Sequence, residues 1–166
     1  MPKRLTAALL IAIAGISAAS CGDTPKQVPA ADRTALDDFA AATREWRRQG
    51  TEPWNKALAA GQAELASAGP KAESHMKKAI ADMEAAAKTV SNAKVRTGLD
   101  AIISSYKAKL AAVHKVDTAG YSLARFKQGL VDLKAAGAKT LKAWNAYVKQ
   151  AKAEWNSNPL AGLNLG

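Results

Sequence analysis

The chain of 166 residues has few of the residue types that build disulfide frameworks, metal centres and β-sheets. One cysteine and two histidines exclude a disulfide framework, a zinc finger and a C-x-x-C-H haem attachment site. With 11 glycines, 6 prolines and few runs of β-branched residues, a sandwich or barrel is strongly disfavoured. Aromatic residues make up only 5% of the chain, so any core depends on a few large side chains.

Alanine is the abundant residue, with 39 copies. It is the best helix former, and its small side chain lets helices approach closely. Apolar residues make up 48% and charged residues 23% of the chain, close to the values of ordinary globular proteins. We therefore expect an all-α protein with an alanine-rich core, in one domain or two very small ones.

The first twenty residues have the three parts of a secretory signal peptide. Lys3 and Arg4 give a positive start, residues 5–16 form an apolar run, and small residues follow. Twelve apolar residues rise about 18 Å as a helix, which is too short to cross a hydrocarbon core of about 30 Å. The sequence therefore predicts a cleaved signal peptide over 1–20 rather than a transmembrane helix.

The only cysteine stands directly after this segment, in the sequence Ala18-Ala19-Ser20-Cys21. Here the chain resembles the bacterial lipoproteins, whose signal peptides end in a small-small-Cys lipobox. It departs at Ala18, where that class most often has leucine. The resemblance covers the first 21 residues and implies lipidation of Cys21, which anchors the chain to the cell membrane or outer membrane with its domain on the extracytoplasmic side. The alternative is ordinary secretion with a free thiol.

The rest of the chain divides into a tether, a helical domain and a tail. Residues 21–31 contain two prolines and polar residues, which predicts a flexible tether after the lipidated cysteine. Apolar residues at helical spacing predict a bundle domain over 32–157. The last residues, 158–166, are mildly apolar and follow a stop signal, which predicts a loose tail.

Within the domain, the apolar periodicity predicts three antiparallel arms joined by short turns. The first arm is broken at 50–53 and ends at Gly69-Pro70. The second is a long helix over 71–116, which we expect to be continuous, and the third covers 121–156. Counting the broken arm, the prediction is an antiparallel bundle of three to four helices.

Two finer expectations concern the second and third arms. A phase slip in the apolar pattern makes the stretch from Asn92 to Gly98 the place where the second arm would break. The third arm has a nearly perfect apolar stripe, which includes Leu123 and Leu141. We expect the whole stripe to be buried against the other arms.

Register along the arms predicts one aromatic core layer. Trp54, Met83 and Trp144 each lie 13–15 residues from a turn that the topology places at the same end. At about 1.5 Å per residue, all three stand about 20 Å from that end. We therefore predict that they pack together.

Positive charge is concentrated in the last third of the chain. Without residues 1–20 the chain has 22 basic and 14 acidic residues, a formal charge of +8. Four lysines of the third arm step by seven or eight residues along one helix face, and a fifth joins them. This face is the candidate surface for an anionic partner, although such a face is more often a solvated helix side that flanks a core; its residues are Lys127, Lys134, Lys142, Lys149 and Lys152.

No pattern predicts catalysis or a cofactor. His75, Met76 and Met83 could offer soft ligands to copper, but the methionines also fit the core stripe, which is the favoured interpretation. His114 stands alone on a helix as a surface histidine. Carboxylates do not occur at spacings that would converge in a pocket, and recognised nucleotide, hydrolase and zinc motifs are absent. We expect no enzyme activity, no metal and no cofactor.

These observations predict a membrane-anchored binding or scaffolding module of the cell envelope. Its partner would be an anionic envelope polymer, a lipid surface or another protein. Nucleic acid is disfavoured because an exported protein rarely meets it. The alternative is a carrier or sensor that holds a small apolar ligand between its helices.

Overall fold

Residues 26–163 are described by the computed structural model, and within them the predicted all-α bundle is confirmed. The signal peptide, Cys21 and most of the tether lie outside the described residues. The helices are α1 (Ala30–Glu45), a π-helical segment (Trp46–Thr51), α2 (Glu52–Ala60), α3 (Gln62–Thr89), α4 (Ala93–Asp117) and α5 (Leu123–Trp155).

The first arm is not broken at 50–53. Glu45, Thr51 and Glu52 all have right-handed helical dihedral angles, so α1, the π-helical segment and α2 form one rod, here called the first rod. On an uninterrupted α-helix, Trp46 and Trp54 would point about 80° apart. One extra residue in a wide π turn reduces this to about 20°, and both indoles are buried. The insertion therefore keeps the apolar stripe on one side.

The chain reverses at Gly61 rather than at Gly69-Pro70, which corrects the predicted end of the first arm. Gly61 has φ 111° and ψ −178°, a conformation that favours glycine. Pro70 lies inside α3. Its missing N–H leaves the carbonyl of Ala66 without its helical donor, but Ala66 and Pro70 are both exposed, so water can satisfy that carbonyl.

The predicted helix over 71–116 is two helices, separated at 90–92. Asn92 caps α4, because its side-chain oxygen accepts hydrogen bonds from the backbone N–H groups of Lys94 and Val95. The fully buried carboxylate of Asp32 accepts from the backbone N–H of Ser91 at 2.7 Å and from its hydroxyl at 2.9 Å. These bonds replace the helical ones, so the chain turns there.

The result is four antiparallel rods in the order first rod, α3, α4, α5. Successive rods pack closely, and the pairs first rod–α3 and α4–α5 are the most extensive. The first and last rods do not pack tightly against each other, since no Cα of α1 lies within 8 Å of a Cα of α5. The rings of Phe39 and Trp144 bridge that gap edge to face, with centroids 6.3 Å apart. A groove therefore runs between the first rod and α5.

The tail is not loose over its described part, 158–163. Asn156 ends α5 in the left-handed conformation, with φ 52°. Turns follow, in which Asn158 accepts a hydrogen bond from the backbone N–H of Leu160. Leu160 is buried and Leu163 packs against the core. Two apolar side chains thus fix the tail along the bundle.

Candidate functional site

The five lysines of the predicted partner surface are all exposed on α5. None of them forms an ion pair with another described residue, whereas Lys94, Lys107 and Lys115 do. At 100° per residue the five lie within about 80° of the helix circumference. We call this surface the lysine face; it consists of Lys127, Lys134, Lys142, Lys149 and Lys152.

The two carboxylates of α5 face away from the lysine face. Asp132 pairs with Lys115 at 2.6 Å, and Glu154 pairs with Lys94 at 2.7 Å. The hydrogen bond from the lysine lowers the pKa of each carboxyl below its usual value. Both acids are therefore neutralised by α4, and the lysine face contains no negative charge.

Large apolar side chains are exposed beside these lysines. Tyr121, Leu123, Val131 and Leu141 are the exposed large hydrophobic residues of the described chain, with exposed fractions from 58% for Leu141 to 99% for Tyr121. The prediction that Leu123 and Leu141 are buried is wrong: Leu141 lines the groove, where the first rod does not pack against α5, and Leu123 lines an open cavity beside α2. Val131 lies among the lysines on the helical wheel.

The groove between the first rod and α5 has a volume of about 310 Å³. Trp46, Tyr106 and Trp144 form its aromatic floor, and the rings of Trp46 and Tyr106 meet edge to face with centroids 4.8 Å apart. Leu141 and Leu163 add apolar surface. This volume is at the lower end of the range of small-molecule sites.

Three cationic side chains line the same groove, and among residues 26–163 no Asp or Glu lines it. They are Arg44, Arg47 and Lys109; Arg47 also pairs with Glu52 at 2.9 Å. Lys109 is partly buried, its ammonium lies 5.5 Å from the centre of the Tyr106 ring, and it forms no ion pair with a described residue. Burial lowers the pKa of this lysine. Sequence periodicity contains no signal that would have placed these residues together.

Two buried polar groups border the aromatic floor without hydrogen-bond partners among the described residues, the indole N–H of Trp144 and the hydroxyl of Tyr147. The Tyr106 hydroxyl neighbours Trp144, but the two do not meet in hydrogen-bond geometry. Burial raises the pKa of both tyrosines above its ordinary value, and the nearby indole partly opposes this for Tyr106. An unpaired buried donor costs about 1–3 kcal/mol.

The predicted layer of Trp54, Met83 and Trp144 does not form as one layer. All three side chains are buried, but Trp144 packs against Phe39, which lies 15 residues before Trp54 on the first rod. That separation corresponds to about 22 Å. The register failed because it assumed a chain reversal at Gly69, whereas the reversal is at Gly61.

Trp54 belongs to an acidic cluster where α2, α3 and α4 meet. Its indole N–H donates to Asp117 at 2.7 Å, and the Glu73 carboxylate contacts His114 at 3.1 Å. Burial raises the pKa of Asp117 to about 6; the Trp54 hydrogen bond opposes this rise and Glu73 adds to it. His114 is exposed, as predicted, but it has this partner. Sequence spacing could not reveal the cluster because its two contacts join residues that are 63 and 41 positions apart.

A second cavity of about 340 Å³ opens beside this cluster. Leu58, Leu65, Val116 and Phe126 give it an apolar lining, and Tyr121 stands at its edge. The second oxygen of Asp117 is buried without a partner, but it points towards Gly69, which does not line the cavity. Asp117 thus both joins α2 to α4 through Trp54 and lines this cavity.

Other predicted features are placed as follows. Met76 and Met83 are buried in the core, while His75 is partly exposed. Among residues 26–163, no group of three or more His, Cys, Asp or Glu side chains is arranged to hold a metal ion. Within the same range, no helix has the length and hydropathy needed to cross a membrane.

Comparison of the chain with protein-family models, with curated proteins and with solved structures gives no match.

Proposed function

We propose that this chain is a membrane-anchored bacterial lipoprotein whose helical domain binds without catalysis on the extracytoplasmic side. Its lipid anchor is Cys21, and its lysine face rests on the anionic headgroups of the bilayer. The observation that carries this proposal is the composition of the outward side of α5, which combines five unpaired lysines with exposed apolar residues and has no carboxylate.

The apolar residues favour a lipid surface over a soluble anionic polymer. Lysines alone would suit either partner, since each contributes about 1 kcal/mol near an anionic membrane. Tyr121, Leu123 and Val131 add side chains that gain free energy when they enter the interfacial region of a bilayer. A hydrated polymer offers no such region.

The position of the tether agrees with this orientation. Asp32 at the start of α1 accepts a hydrogen bond from Ser91, and the neighbouring Asn92 donates to Glu154, so the start of α1 lies at the same end of the bundle as the end of α5. The residues between Cys21 and α1 can span at most about 30 Å. An anchored domain therefore remains close to the bilayer, where a weak contact is sufficient because the effective concentration is high.

Vesicle binding tests this proposal. The processed chain, residues 21–166 with Cys21→Ser so that neither the signal peptide nor the lipid anchor is present, is mixed with sedimenting vesicles of neutral or 30%-anionic lipid, a composition of roughly physiological charge. Binding is expected to the anionic vesicles only and to weaken at high salt. The triple variant Lys134→Gln, Lys142→Gln, Lys149→Gln is expected to bind about 100-fold more weakly at low salt.

The matched control removes three exposed lysines elsewhere, by Lys56→Gln, Lys71→Gln and Lys88→Gln. Both triple variants have the same net charge, so equal losses would contradict a specific role for α5. Binding to a soluble polyanion without binding to vesicles would contradict the lipid partner and would indicate an anionic envelope polymer instead.

A second candidate function is supported by the groove. A cavity of about 310 Å³ that contains two tryptophans is the feature expected of a carrier or sensor of a small ligand. The cationic lining means that such a ligand is not purely apolar. The two functions use different surfaces of the domain and do not exclude each other.

A further inference from the structure

We infer that the groove between the first rod and α5 binds a small aromatic carboxylate. The inference rests on the carrier function proposed above and adds the chemical class of the ligand. It is independent of the lysine face, whose residues do not line the groove.

The aromatic floor of the groove favours a ligand built on an aromatic ring system. Trp46, Tyr106 and Trp144 present ring surfaces around one short space, and aromatic pairs gain about 0.5–1.5 kcal/mol beyond the burial of their area. A volume of about 310 Å³ holds a one-ring or two-ring molecule. A long acyl chain would extend out of this short groove into water.

The positive charge of the groove lining favours an anionic group on the ligand. Arg44, Arg47 and Lys109 line the groove, and no Asp or Glu of the described chain lines it. A carboxylate matches the guanidinium fork of arginine and the ammonium of lysine in hydrogen-bond geometry. A cationic ligand would be repelled, and a neutral one would offer no anion to the ammonium of Lys109.

Lys109 is the residue on which this charge argument depends most. It lies partly buried beside Tyr106 and forms no ion pair with a described residue. A partly desolvated cation without an anion is unfavourable, and an anionic ligand removes that cost. Lys107, two residues away on the same helix, is paired with Glu84.

A larger side chain at Gly137 offers a way to block the groove by mutation. Gly137 lines the groove, and a Cβ added there would meet no other atom within 4 Å. The side chain of Gly137→Leu therefore starts in open space at the groove lining and reduces the volume available to a ligand. Ala138 is exposed on the next position of α5, so Ala138→Leu adds the same bulk outside the groove.

Calorimetric titration with three naphthalene probes tests the inference. The probes are 2-naphthoate, its neutral isostere 2-naphthamide, and the cation 2-naphthylmethylammonium, each added to the full chain. Naphthoate is expected to bind at least about tenfold more tightly than the amide, since a charged hydrogen bond contributes about 1.5–3 kcal/mol. The cation is expected not to bind.

Two variants locate the site. Lys109→Gln is expected to reduce naphthoate affinity about tenfold or more and to leave naphthamide unchanged. Gly137→Leu is expected to abolish binding of both, while Ala138→Leu keeps it. If circular dichroism shows that Gly137→Leu does not fold, Lys109→Gln alone decides.

The outcomes separate this inference from the membrane proposal. The lysine-face triple variant must keep naphthoate binding, and Lys109→Gln must keep vesicle binding. Absence of naphthoate binding, equal affinity for the three probes, or binding unchanged by Lys109→Gln would overturn the inference without affecting the lysine face.

Discussion

The indole N–H of Trp54 donates a 2.7 Å hydrogen bond to Oδ1 of Asp117, and this bond joins α2 to the last residue of α4. The other oxygen of Asp117 is buried without a partner and faces Gly69 and the Glu73 carboxylate. The carboxyl group thus has one good donor and an environment that disfavours its charge. This balance makes the stability of the bundle depend on pH.

We predict that Asp117 destabilises the fold as the pH rises from 4 to 7. Its folded pKa of about 6 lies above the ordinary value of 3.8 because of burial, so the folded chain binds this proton more tightly than the unfolded chain. The stabilisation is present at low pH and is lost as the pH rises through about 6. Its upper limit is roughly 3 kcal/mol, reduced by the partial solvation of the group.

Urea denaturation of the wild type and of Asp117→Asn over this pH range measures the effect. Asparagine keeps an acceptor for Trp54 but does not titrate. The variant is expected to gain stability relative to the wild type as the pH rises. Because Glu73 and His114 also face this position, the difference between the two proteins isolates Asp117; a constant difference would contradict the assignment.

Two glycines of α5 are predicted to respond oppositely to alanine. A Cβ on Gly129 would lie 2.7 Å from Cγ2 and 3.1 Å from the backbone nitrogen of Val116, whereas one on Gly137 meets open space. Gly137→Ala is expected to stabilise by about 1 kcal/mol through helix propensity. Gly129→Ala is expected to destabilise by about 1–3 kcal/mol through overpacking against α4.

Thermal or urea unfolding of the two variants measures both stability changes, and because both glycines lie in α5 they are compared within the same helix. Stabilisation by both substitutions would show that α4 and α5 are not held as close together as described.

The Asp32 carboxylate is predicted to fix the turn between α3 and α4. It is fully buried and accepts two hydrogen bonds from Ser91. Asp32→Ala is expected to cost about 2–4 kcal/mol, since hydrogen bonds to charged groups contribute about 1.5–3 kcal/mol each. The matched control Asp37→Ala removes an exposed aspartate of the same helix, and little change is expected. Equal destabilisation by the two substitutions in urea unfolding would contradict this role of Asp32.

Lipidation is predicted to show in the mass of the intact protein. The chain isolated from bacterial membranes is expected to begin at Cys21 and to carry a thioether-linked diacylglycerol. Cys21→Ser is expected to retain the signal peptide or to appear unacylated in the soluble fraction. A wild-type chain that still contains residues 1–20, or a free thiol at Cys21, would contradict the anchor.

Local patterns were sufficient for the helix class and for most of the third arm. The spacing of apolar residues predicted a helix over 121–156, and α5 is Leu123–Trp155. The reversal at Gly61 was missed because the cost of Pro70 depends on the exposure of the Ala66 carbonyl, which is a tertiary property. The turn at 90–92 needs Asp32, which is 59 residues away from Ser91.

The candidate sites differ in how far they could be predicted. A single helix forms the lysine face, so helical periodicity alone brought its five residues together. The exposure of Leu123 and Leu141 could not be predicted in this way, because it depends on how completely the other helices surround α5. The groove combines residues of the first rod, α4, α5 and the tail, and its members share no spacing that a sequence pattern could detect.

The orientation of the domain on the bilayer tests the central claim most directly. Nitroxide labels are placed by Ala138→Cys beside the lysine face and by Ala85→Cys on α3, both exposed, in processed chains of residues 21–166 that also contain Cys21→Ser. On adding anionic vesicles, the label at position 138 is expected to lose accessibility to a water-soluble relaxation agent, while the label at 85 keeps it. Equal accessibility at both positions, or protection at 85 alone, would contradict contact between the lysine face and the membrane.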